Sequence, residues 1–285
     1  MSKTKTTGRR VASTASKVLR SKSTGQKAKT AAGSARSRAK TTGTMKVPDQ
    51  PDNPEIKLVE TRSGEVTLAI DGGQAMQAWE RELMHETADI LCTYGSVFLE
   101  VGLGLGLSAL RIASNPGTQR HVVVEKYPRV TELFYERNPQ VPASLEIVHA
   151  DIFAYVQSIP EASFDGIFFD PALPAPLWDD DGLWDAFVPR LVRTLRHGGA
   201  FIPFFSMTPE LRKQFVRFFD RVIVERRPFS AYPTTNYTTA RSGDAYIQCF
   251  IHTGRQRSVS KRDKSDRKNQ KMKRGKKKGS KKRTS

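Results

Sequence analysis

The stretch VFLEVGLGLGLSALRIAS, residues 97–114, decides the fold. Its first five residues are mostly apolar and predict a buried strand. Gly102, Gly104 and Gly106 follow at alternate positions, and the next apolar residues recur at helical spacing. Glycine tolerates positive φ and allows a ligand to approach the backbone closely. A strand, a glycine-rich turn and a helix in this order are typical of a nucleotide-binding unit in an α/β sheet.

The flanking sequence repeats this alternation of strand and helix. Apolar runs predict strands at 97–101, 121–125, 145–149, 164–170, 199–205, 221–225 and 245–252. Helical spacing predicts helices at 74–94, near 106–114, 128–137, 152–158, 184–196 and near 209–219. The pattern predicts a doubly wound, mostly parallel, Rossmann-like α/β sheet. A polar loop joins the last two strands, which favours an antiparallel final strand.

The formal net charge of +18 over 285 residues is concentrated at the two ends. Residues 1–46 hold 13 Lys and Arg without an acid, and residues 255–285 hold 16 against two Asp. We expect both to be disordered basic arms, because they lack the apolar residues that would offset the entropy of ordering. Residues 47–72 are interpreted as a lead-in with a strand candidate at 65–70, and residues 73–254 as the catalytic domain.

Several classes of protein are excluded by composition. The chain has no apolar run long enough to cross a membrane, and no apolar stretch follows its charged N-terminus. Cys92 and Cys249 have neither metal-binding nor redox spacing, and no metal is expected. The predicted location is the cytoplasm, with association to the nucleoid or other nucleic acid through the arms left open.

Two cofactors, a dinucleotide and S-adenosyl-L-methionine, are considered for the glycine turn. A dinucleotide turn reads G-x-G-x-x-G, but here the third glycine comes one residue early and Leu107 follows it. S-adenosyl-L-methionine carries no pyrophosphate and has a cationic amino-acid tail and sulfonium. Glu100, two residues before Gly102, suits that positive charge better than it suits phosphates. The turn therefore favours S-adenosyl-L-methionine.

The next two strand ends supply further candidate contacts. Glu125 ends its strand where a carboxylate could accept both ribose hydroxyls, in this cofactor or in NAD. Asp151 could accept from the adenine amino group, with Ile152 beside the ring, and could also cap the following helix. Asp170 ends the fourth strand, where a methyl acceptor would lie, and Glu80 lies on the N-terminal helix.

The order and spacing of five segments resemble the guanidinoacetate N-methyltransferases and the related fungal protein arginine δ-N-methyltransferases, which are class I methyltransferases. The segments are MQAWERELMH, VFLEVGLGLGLSA, VVVEKYP, SFDGIFFDPALP and HGGAFIPFFSMT, within residues 74–252. The resemblance implies that Glu80 and Asp170 bind the guanidino group and that Glu125 binds the ribose. It also implies that Asp151 and Ile152 contact adenine, and that Met207 and Thr208 lie near the other end of the acceptor.

Paired carboxylates suit this chemistry. A guanidinium is planar and pairs with carboxylates through two hydrogen bonds. Its nitrogen must lose a proton as it is methylated, and a neighbouring carboxylate, most simply Asp170, can accept that proton. The implied activity is N-methylation of a guanidino or similarly basic nitrogen in a small molecule or protein arginine.

Two other functions stay open. The stretch DPAL is faintly similar to the Asp/Asn-Pro-Pro-aromatic motif of base methyltransferases, but Ala172 and Leu173 replace the second proline and the ring. The basic arms could bind nucleic acid without sequence specificity. A non-catalytic, cofactor-binding scaffold tethered to nucleic acid is the third possibility. The segments that depart from the resemblance include Pro171 and the loop near 228–244.

Overall fold

The computed structural model describes residues 45–254, so the predicted arms lie outside the described residues except for Met45 and Lys46. The strands are β1 (Ile56–Glu60), β2 (Val66–Ile70), β3 (Gly73–Gln77), β4 (Val97–Val101), β5 (Arg120–Glu125), β6 (Leu145–His149), β7 (Phe164–Phe169), β8 (Leu195–Pro203), β9 (Arg221–Ser230) and β10 (Ser242–Ile251). The helices are α1 (Arg81–Cys92), α2 (Leu107–Ala113), α3 (Pro128–Arg137), α4 (Ile152–Tyr155), α5 (Ala175–Trp178), α6 (Asp181–Thr194) and α7 (Lys213–Val216).

Seven strands form one sheet in the order β6-β5-β4-β7-β8-β10-β9. The pairs from β6 to β8 are parallel, and β10 runs antiparallel to both β8 and β9. This confirms the predicted Rossmann-like sheet and its antiparallel final strand. The chain winds outward from β4 through β5 to β6 and then returns to β7 on the other side of β4. Ligands bind at such a switch point, beyond the carboxyl ends of the strands.

Both faces of this sheet are covered, which explains the continuous apolar runs of its strands. Successive residues of β4 and β7 enter opposite cores, with Phe98 and Phe168 on one face and Leu99 and Phe169 on the other. The helices α1, α2 and α3 pack on the first face, whereas α4, α6 and α7 pack on the second. The strands that carry the candidate site residues are therefore held rigidly at the centre of the domain.

A second, three-stranded antiparallel sheet precedes this one, in the order β1-β2-β3. It corrects the prediction of a helix from Gln74, because residues 73–77 form β3 and a single 3-10 turn, 78–80, leads into α1. The side chain of Glu80 accepts a hydrogen bond from the backbone N–H of Gln77 at 2.7 Å, in a capping box that begins the turn. The lead-in 47–72 thus contributes β1 and β2 to this sheet.

The predicted helix near 209–219 is only the four residues of α7. The segment before it stays irregular because Gln248 binds it at two points. The side-chain oxygen of Gln248 accepts from the N–H of Arg212 at 3.1 Å, and its nitrogen donates to the carbonyl of Glu210 at 2.7 Å. Within residues 45–254, no helix is long and apolar enough to cross a membrane.

Candidate active site

A cavity of about 410 Å³ opens beyond the carboxyl ends of β4, β5 and β7. It brings together most of the residues predicted from the sequence. Those that line it are Glu80, Gly102, Gly104, Glu125, Asp151, Ile152 and Asp170. After the roles predicted from the sequence, we call the part around Glu125 and Asp151 the cofactor half, and the part around Glu80 and Asp170 the acceptor half.

The backbone conformation of the turn requires glycine at these three positions. Gly102, Gly104 and Gly106 have φ of +87°, +55° and +74°, which side-chain-bearing residues rarely adopt. A Cβ at Gly102 would overlap the carbonyl oxygen of Asp170, and one at Gly106 would overlap the ring of Phe134. Gly106 precedes α2 and lies outside the cavity lining. The first two glycines therefore expose the backbone at the cavity, and the third allows close packing against Phe134.

Glu125 supports the turn from the neighbouring strand. Its two carboxylate oxygens accept hydrogen bonds from the N–H groups of Leu103 and Tyr127, both at 2.9 Å. Burial raises its pKa, and these backbone hydrogen bonds oppose the rise. Each carboxylate oxygen can accept more than one hydrogen bond, so Glu125 retains capacity for ribose hydroxyls.

Asp151 has one of the two roles considered for it, the capping of the following helix. Its Oδ1 caps α4 by accepting from the N–H of Phe153 at 2.8 Å. Its Oδ2 accepts from Nε2 of Gln50 at 3.0 Å, and Gln50 also lines the cavity. Ile152 is buried beside it. Gln50 comes from the lead-in, where no sequence pattern indicated a functional residue.

Glu100 does not lie where the sequence placed it. Its side chain is 1% exposed and is absent from the residues that line the cavity. Oε1 accepts from the Ser108 hydroxyl at 2.5 Å, and Oε2 lies 3.0 Å from Nε2 of His121. The structure therefore corrects the prediction of a direct contact with a cationic tail. Glu100 instead joins β4, α2 and β5 beneath the turn.

Glu80 and Asp170 meet in the acceptor half. Burial raises the pKa of Glu80 to about 7, against hydrogen bonds from Gln77 and Gln74 that lower it. The pKa of Asp170 is raised well above its ordinary value, first by burial and then by the negative charges of Glu80 and Glu100. Two carboxyls that disfavour each other's charge form a site in which a bound cation is stabilised.

Aromatic side chains form the opposite wall, and the sequence analysis missed them. Trp178, Phe204 and Tyr237 all line the cavity. The ring of Phe204 contacts both others edge-on, at centroid distances of 5.7 Å to Trp178 and 6.2 Å to Tyr237. Trp178 follows the DPALP segment by only four residues, a position that could have indicated its role. Tyr237 lies in a late loop with no comparable signal.

Hydrogen bonds hold the late loop, residues 231–241, against the N-terminal sheet. Oε1 of Gln74 accepts from the N–H of Asn236 at 2.9 Å and from the hydroxyl of Thr235 at 3.2 Å. Nε2 of Gln77 donates to the Thr234 hydroxyl at 3.2 Å. These hydrogen bonds hold the loop so that Tyr237 lines the acceptor half.

The sequence model of guanidinoacetate N-methyltransferase matches residues 58–204 of this chain. The chain belongs to the guanidinoacetate N-methyltransferase family. It is an enzyme that uses S-adenosyl-L-methionine for methyl transfer. The matched segment includes Glu80, the glycine turn, Glu125, Asp151 and Asp170, and it ends before the late loop.

Solved structures resemble this methyltransferase in fold. A spermidine synthase from Thermotoga maritima has 18% identity and a TM-score of 0.54, covering 72% of this chain and 71% of its own. A spermidine synthase bound to the transition state analogue AdoDATO has 18% identity and a TM-score of 0.54, covering 72% of each chain. The N-methyltransferase NodS from Bradyrhizobium japonicum has 18% identity and a TM-score of 0.46, covering 61% of this chain and 96% of its own. At this level of identity the likeness is one of fold.

Met207 and Thr208 lie outside the cavity lining of the methyltransferase. Thr208 is exposed, and its N–H donates to the Ser206 hydroxyl at 3.2 Å. Met207 packs partly buried against the hydrophobic core. These two residues, predicted to lie near the acceptor, are therefore not among those that line the cavity, whereas Phe204, three residues before Met207, is.

Replacing Glu80 with Gln is expected to stabilise the ligand-free methyltransferase at alkaline pH. The folded pKa of about 7 exceeds the ordinary value of 4.5, so the wild-type protein loses stability as pH rises through this interval. Glu80→Gln removes that loss and retains the capping oxygen. The expected gain in the free energy of unfolding is up to ~3 kcal/mol at pH 8 and near zero at pH 4.

Thermal unfolding of both proteins at the two pH values measures this difference. Glu82→Gln, at an exposed position of α1, is the matched control and should shift neither midpoint appreciably. An equal gain for Glu80→Gln at pH 4 and pH 8 would contradict the assignment of a raised pKa.

Proposed function

We propose that the protein methylates a nitrogen of a guanidinium or similarly basic cation bound between Glu80 and Asp170. The observation that carries this proposal is the pairing of two carboxyls with raised pKa values in one cavity, beside the glycine turn. Family membership supports it, because the model that matches the chain describes a methyltransferase of a guanidino compound.

The cofactor half has groups suited to each part of S-adenosyl-L-methionine. The backbone at Gly102 and Gly104 leaves room for its amino-acid portion, and Glu125 would accept its ribose hydroxyls. Asp151 and Ile152 would contact the adenine, one through a hydrogen bond and the other through apolar packing. When bound, the cofactor supplies a methyl group on a positively charged sulfur.

The acceptor half would orient the nitrogen and remove its proton. Glu80 and Asp170 can each accept hydrogen bonds from the cation, which fixes its plane. Asp170 directly follows β7 and lies next to the glycine turn, and we assign to it the proton that the nitrogen loses on methylation. A carboxyl with a raised pKa is a stronger base when ionised, so burial makes Asp170 better suited to this role. Trp178, Phe204 and Tyr237 would exclude water.

Methylation of a nucleic-acid base is less compatible with the charge of the cavity. Five acidic side chains line it, whereas Lys126 is its one basic lining residue within 45–254. Phosphates would be repelled by that surplus of negative charge. Ala172 and Leu173 line the cavity where a base methyltransferase would carry a proline and an aromatic ring.

Transfer of a radiolabelled methyl group by the full-length chain tests the proposal. The acceptors to compare are agmatine, an arginine-containing peptide, spermidine and a single-stranded oligonucleotide. We expect label in at least one guanidine or amine and none in the oligonucleotide. At an acceptor concentration below KM, the Glu80→Gln variant should transfer much less label, and the exposed-site control Glu82→Gln should retain the wild-type transfer. Label in the oligonucleotide alone would refute the proposal.

A further inference from the structure

We infer that the acceptor is a cation whose remainder carries no carboxylate, such as an alkylguanidinium, and that guanidinoacetate is a poor substrate. This inference rests on the proposed function and narrows its substrate class. Guanidinoacetate has a guanidinium at one end and a carboxylate at the other. A cavity that selects it needs a positive group or free hydrogen-bond donors opposite the acid pair.

The charges of the cavity do not provide a positive group there. The acidic side chains that line it are Asp71, Glu80, Glu125, Asp151 and Asp170. Lys126, the one cationic lining residue of the described chain, belongs to the cofactor half. Its Nζ lies 3.9 Å from Oδ2 of Asp151 and 5.4 Å from the ring centre of Tyr127.

Arg212 is the cation next to the acceptor half, and its charge lowers the pKa of Asp170, but its Nη2 is already engaged. It lies behind Phe204, with its guanidinium carbon 3.9 Å from the ring centre, and it does not line the cavity. Its Nη2 donates to the carbonyls of Phe204 and Phe205 at 3.0 and 2.9 Å. Its Nε is buried and has no hydrogen-bond partner among the described residues.

Several backbone donors around the acceptor half are already used. The N–H of Asp170 donates to Val101, and that of Phe204 donates to Phe169, at 2.9 and 3.0 Å. The N–H of Tyr237 donates to the Thr235 hydroxyl at 3.3 Å. Pro171 and Pro174 line the cavity and have no N–H to offer. A substrate carboxylate would here face acidic side chains without a cationic lining residue of the described chain beside it.

The aromatic wall of the acceptor half suits a substrate whose remainder is uncharged. Leu173, Pro174, Trp178 and Phe204 present apolar or aromatic surface to the cavity. Aromatic faces stabilise guanidinium and ammonium groups and pack against methylene chains. The acceptor half therefore combines one binding site for positive charge with an apolar wall. An alkylguanidinium or the side chain of a peptide arginine matches both.

Calorimetry with the full-length chain and S-adenosylhomocysteine tests this inference. The probes are guanidinoacetate, its amide 2-guanidinoacetamide, and ethylguanidinium, of which the first two differ in the carboxylate. We expect guanidinoacetate to bind at least about tenfold more weakly than the other two. Equal or tighter binding of guanidinoacetate would overturn the inference. Absence of binding by all three probes would also overturn it.

A gain of function gives an independent measurement. Ala172→Arg places a cation at an exposed position of the cavity lining, and Ala175→Arg places one three residues away, outside the lining. Only Ala172→Arg should raise the affinity for guanidinoacetate, by about tenfold relative to the amide. Equal affinities in the two variants would count against the inference.

Glu80→Gln separates this inference from the proposed function. If guanidinoacetate binds best and Glu80→Gln weakens it, the acid pair holds the cation, and only the inference on substrate class fails. If Glu80→Gln leaves the binding of every probe unchanged, the proposed function fails with it.

Discussion

Gly102→Ala is expected to reduce the affinity for S-adenosylhomocysteine by more than about a hundredfold. Adoption of φ = +87° by alanine costs about 1–2 kcal/mol. The new Cβ would also overlap the carbonyl oxygen of Asp170, a backbone atom that cannot rotate away. The turn must therefore shift, and Gly102 lies where the cofactor half and the acceptor half meet. Calorimetric titration with S-adenosylhomocysteine measures the loss.

Gly64→Ala is the matched control for the backbone strain. Gly64 has φ of +83°, and no atom lies within 4 Å of the position its Cβ would occupy. It should lower the free energy of unfolding by about 1–2 kcal/mol and leave cofactor affinity unchanged. Gly104→Ala should be intermediate, since its Cβ would meet the flexible end of Met76, at 2.7 Å. Equal affinities in the alanine variants of Gly64 and Gly102 would contradict the role assigned to the turn.

Asp170→Asn is expected to lower kcat by about 10²–10⁴-fold with little change in cofactor affinity. The amide keeps the shape of the carboxylate but cannot accept the proton that the acceptor nitrogen loses. Single-turnover transfer of a labelled methyl group, with both substrates saturating, isolates this step. Turnover at the wild-type rate would exclude Asp170 as the proton acceptor.

Glu80→Gln provides the comparison, because its main effect should be on acceptor binding. Loss of a charge-assisted hydrogen bond costs about 1.5–3 kcal/mol, which corresponds to roughly a 10- to 150-fold rise in KM. If the two variants instead changed kcat and KM in the same proportion, the division of roles between orienting and proton-accepting carboxyls would be wrong.

The sequence predicted the central sheet because the patterns that specify its strands and helices lie within short segments of the chain. The strands β4, β5 and β7 carry mostly buried apolar residues on both faces, and each is followed by a break and a helical pattern. Glu125, Asp151 and Asp170 could be placed because they end such strands, and strand ends meet at one edge. Glu80 was placed through the resemblance to the family, whereas the periodicity of residues 74–94 indicated a helix and missed β3.

The sequence analysis failed where the structure depends on the direction of a side chain or on contacts between residues far apart in sequence. Both faces of β4 are buried, so its apolar pattern could not show that Glu100 turns toward Ser108 and His121. The place of Tyr237 depends on hydrogen bonds from Gln74 and Gln77 to the late loop, and nothing local to that loop indicates them.

The hydrogen bond from Gln77 to the late loop affects the order in which the two halves assemble. The contacts described for the cofactor half span fewer residues, 22 between Leu103 and Glu125 and 101 between Gln50 and Asp151. Gln77 and Thr234 are 157 residues apart, so closing this contact orders a longer stretch of chain. On a ribosome that synthesises the protein from its N-terminus, the binding surface for the methyl donor would emerge well before Tyr237. Selection of the acceptor would be among the last properties that the nascent chain acquires.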